Sequence, residues 1–192
     1  MKTNNELEIK IRGIAPFLMH NGQTKDPMNE FSKAIKKVSS KRNKTDDDYL
    51  QMSKLEWHAS IYVNGNGKLI IPSDNIEACI IKGGMRNKNG KKLQSGMWLV
   101  ENPGPEFNYT GPKDIDKLSE DPNFISKKAV KIKKNSVIRT RPIFNEWWLI
   151  FHIGYNPLVV NEEEIIEAIE NAGRYEGLGD YRPKYGRFII ED

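Results

Sequence analysis

The chain is poor in the residues from which redox and metal sites are usually built. Among its 192 residues there are one cysteine, Cys79, and three histidines. One cysteine excludes an intramolecular disulfide, and no C-x-x-C or H-E-x-x-H pattern is present. Gly83-Gly84 and Gly177-x-Gly179 lack the sequence contexts of nucleotide-binding glycine motifs. We therefore expect no metal, no cofactor and a reducing, cytoplasmic compartment.

Long hydrophobic runs are also missing. The run Trp147–Phe151 is far too short to cross a bilayer. The first residues contain no apolar core of a signal peptide. We therefore expect no membrane partner.

Charges of opposite sign are segregated along the chain. Its 30 basic and 26 acidic residues give a net charge of +4. Three runs contain basic residues and no acidic ones, namely Lys33–Lys44, Lys82–Lys92 and Lys127–Arg141. Acidic residues gather elsewhere, above all in Asp46–Asp48 and Glu162–Glu170. Such segregation favours a polyanionic partner, whereas any single run is also typical of a solvated helix face or loop.

Periodicity and capping signals predict an α+β fold. Residues 7–14 alternate apolar and polar side chains, as a half-buried strand does. Thr45-Asp-Asp-Asp48 and Asn161-Glu-Glu-Glu164 are typical helix starts. The predicted elements are a strand over 7–14, helices over 28–38 and 45–57, a hairpin of 58–63 and 69–71, a helix over 76–82 ended by Gly83-Gly84, adjacent strands over 137–144 and 147–154, a helix from Asn161 to Gly173 and a last strand over 188–190.

This order of elements indicates an antiparallel sheet with helices on one face. The ferredoxin-like or RRM-like β-α-β-β-α-β core is the closest simple template. Residues 85–136 are rich in Lys, Asn, Gly and Pro, which indicates an elaborated, basic and partly mobile insertion. We expect a single domain over 1–192 with this insertion at about 85–136.

The segment Gly173–Phe188, the glycine-rich loop, is the clearest pointer to function. It combines four glycines, four basic residues and three tyrosines within sixteen positions. Glycine allows close backbone approach, basic side chains bind phosphate, and tyrosine rings stack on bases. Alternatively, the tyrosine hydroxyls only attach the loop to the sheet edge. The candidate nucleic-acid contacts are Arg174, Tyr175, Tyr181, Arg182, Lys184, Tyr185 and Arg187 in the loop, Arg139 and Arg141 on the preceding strands, and Lys88, Lys91 and Lys92 in the insertion.

The histidines offer one weak candidate for catalysis. His20 follows the first strand and could act as general base on a ribose 2′-hydroxyl in metal-independent RNA cleavage. A loop histidine that only hydrogen-bonds the backbone is the alternative. His58 begins a predicted strand, and His152 lies mid-strand as a core or sheet-face residue.

Two motifs resemble the RAMP superfamily, the RNA-binding backbone proteins of CRISPR effector complexes. Ile71-Pro-Ser-Asp-Asn-Ile-Glu-Ala78 is similar to the superfamily's I-P-x-S entry to a helix. Gly177-Leu-Gly-Asp-Tyr-Arg-Pro-Lys-Tyr-Gly-Arg-Phe188 is similar to its glycine-rich loop. The chain also resembles small proteins of tailed bacteriophages that share its Arg-Thr-Arg-Pro-Ile-Phe stretch. The resemblance implies a ferredoxin-like fold, self-association along a strand, and a position for His20 and Asn21 near the glycine-rich loop.

Together these signals predict a non-catalytic, phage-encoded protein that binds single-stranded RNA or DNA in the host cytoplasm and forms a homo-oligomer. Two rival functions stay open. One is a metal-independent endoribonuclease that uses His20. The other is a phage factor that engages a host or defence protein complex.

Overall fold

The fold is α+β with antiparallel strands, which confirms the predicted class. The computed structural model describes residues 5–132 and 135–191, without the side chains of 131–136. The helices are α1 (Glu30–Ser39), α2 (Asp46–Ala59), α3 (Ser73–Met85), α4 (Gly90–Gly96), α5 (Ile115–Glu120) and α6 (Glu162–Asn171). The strands are β1 (Asn5–Gly13), β2 (Phe17–Leu18), β3 (Met97–Leu99), β4 (Asn108–Tyr109), β5 (Ile125–Ile132), β6 (Asn135–Phe144), β7 (Trp147–Tyr155) and β8 (Phe188–Ile190).

The chain forms two compact units that alternate along the sequence. Unit 1 consists of Met1–Phe17, Val63–Thr110 and Asn145–Asp192. Unit 2 consists of Leu18–Tyr62 and Gly111–Phe144. The expectation of a single domain over 1–192 stays a prediction. No helix in the described ranges is both long and apolar enough to span a membrane.

Unit 1 is built on an antiparallel sheet of order β3-β7-β1-β8, with β4 also paired to β7. Strands β1 and β7 pair from Asn5↔Tyr155 to Arg12↔Trp148. Alternate residues of these strands, including Ile11 and Leu149, are fully buried, as expected for a sheet with one packed face. The apolar sides of α3 and α6 are buried as well.

Helices α3 and α6 of unit 1 approach each other closely at Gly83. A Cβ at this position would clash with the backbone oxygen of Ala168 and lie 2.6 Å from the nitrogen of Ala172. The predicted helix end at Gly83-Gly84 is therefore wrong, because α3 continues to Met85. Gly83 lies inside α3 and does not end it. Its lack of a side chain allows α6 to approach α3 closely.

The second sheet has the order β2-β6-β5. Within unit 2, β5 and β6 pair from Ile125↔Pro142 to Ile132↔Asn135. Helix α2 begins with the predicted capping box of Thr45 and Asp48. The Lys41 ammonium lies 2.6 Å from Asp48 and its hydrogen bond lowers the pKa of that carboxyl. The buried indole of Trp57 on α2 donates a hydrogen bond to the Phe124 carbonyl at 2.9 Å.

Three predictions about connectivity need correction. His58 lies in the last turn of α2, and the predicted hairpin is reduced to a bridge of Val63 with Leu69. Strands β6 and β7 are not neighbours, because β6 pairs with the lysine-rich β5. The segment 85–136 contains regular elements from α4 to β5 and is divided between the units at Thr110.

The contact of α3 with α6 makes a sharp stability prediction. Helix propensity alone would make Gly83→Ala stabilising by about 1 kcal/mol. Because its Cβ would meet the α6 backbone, we expect destabilisation by about 2 kcal/mol in urea unfolding. The control is Gly65→Ala, where nothing lies within 4 Å, with a change below about 0.5 kcal/mol. A Gly83→Ala protein as stable as the parent would contradict the packing.

Candidate functional site

The glycine-rich loop is closed on itself by backbone geometry that requires glycine. Gly177 and Gly186 have φ values of +74° and +72°. Leu178 N–H donates to the Gly186 carbonyl at 2.8 Å. A Cβ at Gly177 would lie 2.7 Å from the Tyr185 oxygen. Side chains at these positions would both strain and separate the two arms of the loop.

The loop is fastened to the end of β1 and to α3. Gly186 N–H donates to the Pro16 carbonyl at 2.8 Å, and Ile14 N–H donates to Arg187 at 2.8 Å. On the other side the Cys79 thiol donates to the Gly177 carbonyl at 3.2 Å. Burial raises the pKa of the Cys79 thiol to about 12, so this sulfur is a packing group. The loop is thus a fixed platform on unit 1.

The loop displays cations and aromatic rings to solvent. Tyr181 has φ +55° and is 40% exposed, and its ring lies 6.4 Å from that of half-buried Tyr185. No carboxylate of the described residues forms an ion pair with Arg182 or Arg187. The structure thus brings together the predicted loop residues, which are exposed except for Tyr185: Arg174, Tyr175, Tyr181, Arg182, Lys184, Tyr185 and Arg187.

Arg86 joins this cluster, although the sequence marks it only as one member of a basic run. Its guanidinium lies 4.3 Å from the ring centroid of Tyr175 and 3.1 Å from the Glu176 carboxylate. The Arg174 guanidinium lies 5.9 Å from the same ring. Tyr175 therefore has cations close to its ring, an arrangement that stabilises by cation–π attraction.

The three predicted lysines of the insertion differ in their surroundings. Lys92 forms a 2.7 Å ion pair with Glu164 on α6, and this hydrogen bond lowers the pKa of Glu164. Lys88 has φ +63° in the turn after α3, and Lys91 is exposed on α4. Of the three, Lys92 has its charge partly neutralised by its neighbour.

The open face of the unit 1 sheet answers a question that the sequence leaves open, namely which of Trp147 and Trp148 is buried. Alternation places Trp147 and Trp148 on opposite faces, and Trp147 is the buried one, its indole donating to the Ala15 carbonyl at 2.9 Å. Trp148 is half-buried, and Trp98 is 38% exposed with its ring against Gly154. Exposed Arg12 lies directly opposite Trp148 on β1. The Arg12 guanidinium lies 3.1 Å from the Glu191 carboxylate, so this face combines aromatic surface with an arginine whose charge is partly neutralised.

In unit 2 the predicted residues His20, Arg139 and Arg141 line one cavity of about 600 Å³. Residues spaced along one side of α1, from Ser32 to Ser39, form a second wall. Arg139 and Arg141 are two positions apart on β6, so they project to the same side of the strand. Lys133 and Lys134 of the same basic run lie outside the described residues.

A buried carboxylate orients one of these arginines. Glu56 on α2 is 8% exposed and forms an ion pair with the Arg139 guanidinium. Its other oxygen accepts a hydrogen bond from Thr140 N–H at 2.8 Å. The Thr140 hydroxyl in turn lies 2.9 Å from the Ser53 hydroxyl. Arg139 and Thr140 are therefore held in place from α2.

The other two histidines have structural partners. His58 lies 4.0 Å from Asp116, and burial lowers the pKa of its imidazole. His152 is a half-exposed sheet-face residue, as predicted, with its ring 2.8 Å from Glu101 and 3.2 Å from Glu8. The hydrogen bond to Glu101 is the main cause that raises the pKa of His152 above 6.5.

Comparison with known proteins adds no assignment. No protein-family model matches the chain, and no curated protein matches it. Within residues 5–132 and 135–191, no three His, Cys, Asp or Glu side chains come together in a group that could hold a metal ion.

The His152 contacts predict a pH dependence. A folded pKa above the unfolded value means that protonated His152 stabilises unit 1 below pH 6.5, and that this contribution is lost as pH rises through the folded pKa. NMR titration of the imidazole should give a pKa above 6.5, and Glu101→Gln should lower it. Glu106→Gln, which changes a carboxylate paired with Lys68, should leave it unchanged. A His152 pKa that is the same in Glu101→Gln as in the parent protein would disprove the pairing of His152 with Glu101.

Proposed function

We propose that unit 1 is a RAMP-like, ferredoxin-like domain whose glycine-rich loop binds single-stranded nucleic acid without cleaving it. The observation that carries the proposal is the fixed loop with exposed Tyr181, Arg182, Lys184 and Arg187. The geometry is that of a rigid backbone presenting phosphate-binding charge and base-stacking rings on one short segment.

The order of elements in unit 1 supports the fold part of the proposal. With α4 and the two-residue strand β4 set aside, the helices and strands of unit 1 run β1, α3, β3, β7, α6 and β8, a β-α-β-β-α-β sequence. In the sheet the order of the strands is β3-β7-β1-β8, and each of these three neighbouring pairs is antiparallel. A ferredoxin-like core has this order, with its second and fourth strands at the edges.

Charge and exposure support the ligand class. Each cation that neutralises a phosphate releases counterions, which favours binding at low salt. Tyr181 offers a ring face that a base in a single strand can reach, whereas bases in a duplex are already stacked. Trp98 and Trp148 on the open sheet face would extend such stacking. We include Arg139 and Arg141 of unit 2, and Lys88, Lys91 and Lys92 of unit 1, as further phosphate contacts.

The resemblance to RAMP and phage proteins carries further proposals. They are self-association along a strand, phage origin and action in the host cytoplasm. Size-exclusion chromatography with light scattering measures the first directly.

The loop proposal predicts a steep salt dependence that two arginines control. Labelled single-stranded DNA and RNA of the same sequence would be titrated at two salt concentrations. The variant Arg182→Ala with Arg187→Ala should bind about 100-fold more weakly, as expected for two charge-assisted contacts. The slope of log K against log salt should fall by about 1.4, since each phosphate contact on a single strand contributes about 0.7.

A charge-matched control separates contact from net charge. Lys54→Ala with Lys117→Ala also removes two positive charges, from α2 and α5, and should bind as the parent does. If the loop variant and this control bind equally, the loop is not the site. If the parent protein binds neither single-stranded DNA nor single-stranded RNA, the proposed function is wrong.

One observation favours a second candidate, metal-independent RNA cleavage. His20 lines the same cavity as Arg139 and Arg141, so a general base and cations for a charged transition state lie around one concavity. Arg139 is already oriented by Glu56.

This candidate predicts cleavage of single-stranded RNA in EDTA by the parent protein. His20→Ala should abolish cleavage while leaving binding intact. DNA of the same sequence is the matched control, because it lacks the 2′-hydroxyl nucleophile and should stay whole. Intact RNA after incubation with the parent protein would exclude the activity.

A further inference from the structure

We infer that the cavity of unit 2 binds the phosphate group of a nucleotide. Its volume of about 600 Å³ lies within the usual range for small-molecule sites. Every residue that lines it belongs to unit 2. The inference goes beyond strand binding by the glycine-rich loop and does not depend on it.

The charge of the lining selects an anion. Lys25, Lys36, Arg139 and Arg141 line the cavity, against Glu56 as its one carboxylate among the described residues. Basic side chains therefore outnumber the carboxylate in the lining. Cations gathered around a concavity repel one another, and a phosphate with two negative charges offsets that repulsion.

The cations that line the cavity belong to different elements. Lys36 belongs to α1 and Lys25 to the short helical turn before it, whereas Arg139 and Arg141 belong to β6. The several oxygens of one phosphate can therefore be contacted by cations from more than one element. An arginine guanidinium can contact two of those oxygens at once.

Glu56 prepares Arg139 for this contact. Its carboxylate holds the guanidinium by an ion pair and accepts from the backbone N–H of Thr140 at 2.8 Å. Because this ion pair already orients Arg139, less conformational freedom is lost when a ligand binds.

The rest of the lining favours a nucleotide over inorganic phosphate. Ile35 and Ala59 supply apolar surface, and Ser32 and Ser39 supply hydroxyl groups. A nucleoside phosphate combines the matching features, namely a flat ring, sugar hydroxyls and an anionic end. A free nucleotide and the 5′-phosphate end of a strand present this same chemistry.

The test compares two lysines of α1. Binding of AMP would be measured by isothermal titration calorimetry on the full chain. Lys36→Ala, which alters a cavity wall, should lower the AMP affinity about tenfold, as for one charge-assisted contact. Lys33→Ala removes an exposed charge from the same helix but not from the cavity lining, and should change the affinity less than about twofold. Thermal unfolding of both variants checks that the fold is kept.

Adenosine and inorganic phosphate test which part of the ligand is recognised. Adenosine should bind at least about tenfold more weakly than AMP if the phosphate is the main contact. Inorganic phosphate should compete with AMP, at higher concentration. Three results would each overturn the inference. They are equal affinities for AMP and adenosine, no AMP binding by the parent protein, and an AMP affinity of Lys36→Ala that equals that of the parent.

The double variant Arg182→Ala with Arg187→Ala, in which the glycine-rich loop is impaired, distinguishes a free nucleotide from the 5′-phosphate end of a strand. AMP should bind to this double variant as tightly as to the parent. A failure of AMP binding by the cavity can then be told apart from a failure of strand binding by the loop. A short oligonucleotide with a 5′-phosphate that binds more tightly than AMP, in a Lys36-dependent way, identifies a strand end as the source. AMP binding without such a gain identifies the free nucleotide.

Discussion

The antiparallel pairing of β1 with β7 is the interaction on which unit 1 depends. It joins the first strand of the chain to one in its last third, from Asn5↔Tyr155 to Arg12↔Trp148. Every other strand of this sheet is added to one of these two: β8 lies beside β1, and β3 and β4 lie beside β7. This arrangement also determines where the glycine-rich loop lies, because the loop is hydrogen-bonded to Ile14 and Pro16 just after the end of β1.

Carboxylates decide which of the many cations remain available to a ligand. Glu164 neutralises part of Lys92, and Glu176 part of Arg86. Glu56 has a different effect, since it is buried and orients Arg139 within a cavity that stays cationic. A nearly neutral sequence composition therefore conceals local surfaces of strong positive charge, and the distribution of acids determines where they lie.

Local signals predicted what local interactions determine. Thr45 with Asp48 forms the expected capping box, because a cap needs only residues three positions apart. The predicted helix end at Gly83 is wrong. The low helix propensity of glycine favours a helix end, whereas Gly83 lies inside α3, where α6 packs closely against it. The pairing of β6 was missed because the lysine-rich β5 shows no clear apolar alternation. The loop residues were found from composition, but the cavity needs three distant segments and has no signature along the chain.

The alternation of units along the sequence has a consequence for biosynthesis. Unit 2 is complete at Phe144, three residues before β7 begins at Trp147. A chain emerging from the ribosome therefore contains all of unit 2 while β1 still lacks its central partner. Since domains fold as their segments become available during synthesis, unit 2 can fold first. Its early formation would shorten the effective distance that β1 and β7 must close, which lowers the entropic cost of this long-range pairing.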